Sequence, residues 1–170
     1  MDNRKLAEPW LRGTRTDVPP AQRAVLHALE LAKEDLERWC WDLSQEELNT
    51  FPNHLPSVAF HLRHMARSMD RLLTYAEGRA LSGGQFSLMK AELDPVSSRE
   101  AAFDELDRAF EISASRIRAF SSDSLSQARV VGRQQMPTTV AGLLVHVADH
   151  TQRHVGQAIT TAKLVKSSRP

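Results

Sequence analysis

Residues 138–165 read TTVAGLLVHVADHTQRHVGQAITTAKLV. The stretch holds no proline, and Thr138 or Thr139 can cap its start. An α-helix turns about 100° per residue. Val140, Leu144, Val147, Thr151, Val155, Ala158 and Ala162 therefore share one face, which must be buried against other elements. Along one edge of that face run His146, His150 and His154, spaced four apart with an angular step of about 40°. Such an edge can point into a space between helices while still reaching solvent.

Outward from this helix, the rest of the chain repeats the pattern. Pro20 to about Leu43 forms a first long helix, with Val25, Leu26, Leu29, Leu36 and Trp39 at helical spacing. SQEE at 44–47 is a capping-box pattern that starts a short helix, and FPNHLP at 51–56 breaks it. A second long helix runs from near Ser57 to Glu77, with Val58, Leu62, Met65, Met69, Leu72 and Leu73 inward and Gly78 as its stop. LSGG at 81–84 reads as a loop, followed by a weak turn of helix near 86–93. SSRE at 97–100 opens a third long helix to about Phe120, with Ala102, Leu106, Phe110, Ile112, Ile117 and Phe120 inward. Residues 121–137 form a long connection that Gly132 can turn.

Strand signals are nearly missing, so the fold class is all-α, a four-helix bundle. The expected organisation is an irregular N-terminal arm over 1–19, a bundle over 20–165 and a short tail over 166–170. In the arm, Trp10 and Leu11 are the candidate anchors onto the body. The connections after the first helix and between the second and third are long for simple up-and-down wiring.

The chain has 170 residues, enough to bury a real core, and a formal net charge of +1. That balance gives no electrostatic reason to expect nucleic acid or an anionic membrane as partner. No apolar run approaches the roughly 20 residues of a bilayer span. The N-terminus is polar and does not read as a signal peptide. Cys40 is the single cysteine, which excludes an internal disulfide. Together these features point to the cytoplasm. The lone thiol sits in WCW, residues 39–41, where packing is the expected role.

Five of the seven histidines lie on two helices: the stripe above, and His61 and His64 in FHLRH, residues 60–64. Imidazoles at i and i+4 can meet on one divalent ion, each offering a nitrogen at about 2.0–2.1 Å. Two ligands from one helix rarely complete a site, so a third is expected from the second helix. The helical wheel slightly favours His61 over His64. His27 and His54 have no such context.

Two motifs give this chain a resemblance to the DinB/YfiT-like superfamily of metal-dependent proteins. SVAFHLRHMA at 57–66 is similar to the family's first histidine motif, and HTQRHVGQ at 150–157 is similar to its second. The arm before residue 20 lies outside the resemblance. The resemblance implies His64, His150 and His154 as the metal ligands. His146 becomes a supporting or cavity residue, and His61 a reserve ligand. Gln157 and Thr161 are candidates for orienting a substrate on the cavity wall.

Three neutral histidines leave one coordination position open, which is a catalytic pattern more than a structural one. Zinc or nickel suits imidazole best. The resemblance further implies transfer chemistry with a low-molecular-weight thiol and a small-molecule substrate. Metal-dependent hydrolysis and a non-enzymatic metal- or ligand-binding bundle are the alternatives. It also implies pairing into a homodimer.

Overall fold

A computed structural model describes residues 7–169. Residues 1–6 of the arm and Pro170 of the tail lie outside the described residues. The elements are α1 (Pro20–Cys40), α2 (Gln45–Asn49), α3 (Val58–Ala76), α4 (Gly83–Lys90), α5 (Arg99–Arg118), β1 (Ala128–Val131), β2 (Met136–Thr139) and α6 (Val140–Ser167). The four long helices α1, α3, α5 and α6 enclose one apolar core. Leu36, Leu62, Met65, Met69, Leu73, Leu106, Ile117 and Val147 are sealed inside it.

The helices form a ring in the order α1, α6, α3, α5 and back to α1. Two chain-consecutive pairs, α1 with α3 and α5 with α6, therefore sit across diagonals. The diagonal crossings are made by segments 41–57 and 119–139, while segment 77–98, between the neighbours α3 and α5, is long because it carries α4. The wiring also makes α3 and α6 neighbours, so their histidine-bearing edges oppose each other.

Local chemistry fixes the helix ends. The Ser44 capping box opens α2 as expected, with the Ser44 hydroxyl and the Glu47 carboxylate each accepting from the other's backbone N–H. Ser57 caps α3, and Gly78 in a left-handed turn (φ +76°) ends it. Thr139 caps α6 by accepting from Gly142 N–H at 3.1 Å. A Cβ on Gly142 would come within 2.6 Å of the Thr138 hydroxyl, so an alanine there would force the Thr138 side chain to turn away. Thr139→Ala should cost about 1 kcal/mol of stability, read as a lower urea midpoint with an unchanged slope.

Four local expectations are corrected. LSGG is not a loop, because Ser82 and Gln85 make a capping box that draws Gly83 and Gly84 into α4. Residues 121–137 hold a two-stranded antiparallel hairpin with Ala128 opposite Thr139 and Val131 opposite Met136. Its turn uses positive φ at Gly132 and Gln135. Ile112 is 58% exposed and Trp39 38%, so neither belongs to the core.

The arm is also anchored differently: Trp10 is 61% exposed and Leu11 56%. Pro9 and Val18 are its buried residues, and Arg12 and Arg15 pair with Glu30 and Glu34 on α1. Cys40 is fully buried, and burial pushes its thiol up to about 12, as suits a packing role. A thiol reagent should label Cys40 only after unfolding, and rapid labelling of the native protein would contradict this placement. No helix is long and apolar enough to cross a membrane among the described residues.

Candidate metal centre

His64 on α3 and His150 on α6 face each other with their Nε2 atoms 2.9 Å apart. The His154 ring lies 4.4 Å from His64 and 4.6 Å from His150, centroid to centroid. One nitrogen from each of the three falls within 4.8 Å of the others. Two nitrogens on a tetrahedral ion at about 2.0–2.1 Å are themselves about 3.3 Å apart. The cluster is therefore within small side-chain rotations of a three-nitrogen site.

His61 takes a different place from the one the helical wheel favours. It is 2% exposed and lies behind His154, with the two Nδ1 atoms 3.0 Å apart. With Nδ1 of His154 donating in that contact, its Nε2 would keep the lone pair an ion needs. His64, at the edge, faces both His150 and His154, whereas His61, further inward, meets His154. Phe60 stacks on His64 at 5.3 Å and 22°, which limits rotation of the ring.

Sequence reasoning missed Glu92. Its Oε2 accepts from His64 Nδ1 at 2.7 Å, and its Oε1 accepts from Arg71 at 2.6 Å. A donor–acceptor bond at Nδ1 sets the His64 tautomer so that Nε2 carries the lone pair toward the cluster. Glu92 follows α4 in a segment strapped to α3. Arg63 donates to the Ala91 and Asp94 carbonyls, and Arg67 donates to the Leu88 carbonyl and to Glu105. Arg63, Arg67 and Arg71 recur every four residues along α3, and the chain around Glu92 supplies acceptors to all three.

The electrostatics suit metal ligands. Burial, aided by the charge of the neighbouring imidazoles, pushes His150 down to about 4 and His154 down to about 3. Burial likewise pushes His61 down to about 4. All three are neutral near pH 7, the form in which imidazole ligates. Burial alone would raise the Glu92 carboxyl, but its bonds to His64 and Arg71 and the Arg71 charge hold it below the usual range. Nitrogen-only donors with a carboxylate behind one of them fit zinc or nickel.

Beside the cluster opens a cavity of about 410 Å³. His64, His146 and His150 form one wall, and Leu72, Tyr75, Leu81, Phe86 and Met89 form much of the rest. His146 is exposed, 5.3 Å from the His150 ring, and 3.7 Å from the Asp149 carboxylate, which also pairs with Arg153. Gln157 is exposed and does not line this cavity. Thr161 is buried, and its hydroxyl donates to the Pro56 carbonyl at 3.3 Å, tying α6 to the start of α3. Neither is a wall residue, because the cavity opens toward the His146 end of the stripe. His54 is exposed, and buried His27 meets Thr14 of the arm at 3.2 Å.

Fold and site together define a helical bundle with a three-histidine group, able to hold a metal ion, between two neighbouring helices. Residues 28–158 match the sequence profile of the DinB superfamily, and the chain belongs to that family. It is similar in fold to the crystal structure of a conserved protein from Enterococcus faecalis. That likeness has a TM-score of 0.72 and 22% identity, and covers 86% of this chain and 98% of the other. No curated protein matches the chain.

Proposed function

We propose that the chain binds a divalent ion, zinc or nickel, through His64, His150 and His154, and acts as a metal-dependent transferase using a low-molecular-weight thiol. The observation that carries this reading is the meeting of three imidazoles from α3 and α6, two of which, His64 and His150, stand in the wall of a largely apolar cavity. Bound there, the ion would supply Lewis acidity and an open coordination position for a thiol or water.

The chain's own residues supply the rest. Glu92 and Phe60 hold His64 in place, and His61 holds His154. Leu72, Leu81, Phe86 and Met89 give the cavity an apolar wall. Glu92, the carboxylate beside His64, is committed to His64 and Arg71, and no carboxylate lines the cavity among the described residues. A hydrolase would benefit from a free carboxylate base to draw a proton from water, whereas a thiol brings its own nucleophile and ionises readily. This favours thiol transfer over hydrolysis.

Adding zinc or nickel to metal-free protein should raise its melting temperature, with saturation near one ion per chain by elemental analysis. No bound metal and no shift would refute the centre. With metal bound, a panel of small thiols and a chromogenic electrophile tests the reaction. The absence of metal-dependent turnover with every thiol would leave a metal-binding bundle instead of a transferase.

A further inference from the structure

A second space of about 650 Å³ adjoins the cavity beside the histidines and runs along the hairpin, and both are lined by Tyr75, Leu81, Phe86, Gly132 and Arg133. The charged residues lining the two spaces are arginines: Arg71, Arg79, Arg129 and Arg133. Among the described residues, no aspartate or glutamate lines either one.

Three of these guanidinium groups are already engaged. Arg71 is paired with Glu92, Arg79 with Glu77, and Arg129 donates to the Ala76 and Ala128 carbonyls and to Gln127. Arg133 makes no side-chain hydrogen bond or ion pair among the described residues. It sits on the hairpin turn, where the two spaces join.

We propose that Arg133 is an oxyanion-binding residue, and that the cavity takes a ligand with a carboxylate or phosphate at one end and an apolar body. The oxyanion meets the Arg133 fork, whose planar donors match either group in a two-point contact. The apolar body lies along Tyr75, Leu81 and Phe86. The opposite end reaches the wall of His64 and His150. A concave surface with cations and no acids attracts such a ligand before contact. The proposal rests on the functional reading for the histidine end of the ligand; its oxyanion end does not depend on a metal.

The test separates the two. Zinc affinity of the wild type and of Arg133→Ala is measured first by competition with a chelator, and the two should agree. Zinc-loaded protein is then titrated calorimetrically with 6-mercaptohexanoate and with 6-mercaptohexanol. The acid should bind at least about tenfold tighter. Arg133→Ala should erase that preference, and Arg133→Lys should keep part of it. Metal-free protein is titrated by NMR with hexanoate, hexyl phosphate and hexanol, which tells carboxylate from phosphate.

Equal binding of acid and alcohol by the wild type, or an unchanged preference in Arg133→Ala, overturns the proposal. So does equal loss of both ligands in Arg133→Ala, which would mark a structural role. Should zinc fail to bind while hexanoate or hexyl phosphate still depends on Arg133, the oxyanion site stands and the metal reading falls. If none of the anions binds in either state, the oxyanion site falls.

Discussion

The His150→Ala variant is expected to lose more than about 100-fold in zinc affinity while keeping its fold. His150 meets His64 Nε2 to Nε2 across the α3–α6 interface, so its loss leaves each helix with a single candidate ligand. Two donors cannot close the three-nitrogen face. The loss should therefore exceed the roughly 10–100-fold typical when only a supporting partner is removed. Metal-free stability should change little, since the ring is half-buried and neutral, with its proton affinity pushed down to about 4. The melting-temperature rise on adding zinc should vanish, because stabilisation by a ligand follows its affinity. His27→Ala is the control, since that ring belongs to α1 and contacts the arm at Thr14. Equal zinc affinity in His150→Ala and wild type would remove His150 from the centre.

The second large effect concerns Glu92. Glu92→Gln keeps the side-chain shape but removes the charge that His64 and Arg71 share. Zinc affinity should fall by about 10–100-fold, because the carboxylate orients His64 and raises its basicity. Glu92→Ala goes further. The Arg71 side chain is 12% exposed and would lose its carboxylate partner, which costs about 3–5 kcal/mol for a buried charge. Urea unfolding should show this as a lower midpoint. Adding Arg71→Met to Glu92→Ala should restore much of the stability, because the unpaired cation is gone, without restoring zinc affinity. Recovery of both properties would mean that Glu92 acts on packing alone.

Much of this could be read from the sequence, for a physical reason. The four long helices declare themselves because burial demands an apolar residue at every helical turn. The histidine pair on α6 was legible for the same reason, as i and i+4 are fixed by one helix. The candidate ligand on α3 was less so. Its wheel angle favoured His61, and choosing His64 needed the motif resemblance. A wheel shows angle but not which side chain is blocked by a neighbour, and His154 occupies the space in front of His61. Glu92 was illegible because it lies outside regular helix, in a segment held by arginine contacts to carbonyl groups. The hairpin was missed because its strands are only four residues each, and the β2 sequence MPTT lacks apolar alternation. Ile112 misled because helix α5 turns that side toward solvent beside α4.

The diagonal wiring gives the histidine cluster a further consequence. His64 and His150 are 86 residues apart in the chain, with all of α4, α5 and the hairpin between them. An ion joining them would be a removable cross-link closing most of the second half of the protein into one loop. Cross-links of that span restrict the unfolded chain most, since loop-closure entropy grows with length. The same imidazole cluster that would do chemistry would also act as a clasp, coupling metal supply to how long the chain stays folded.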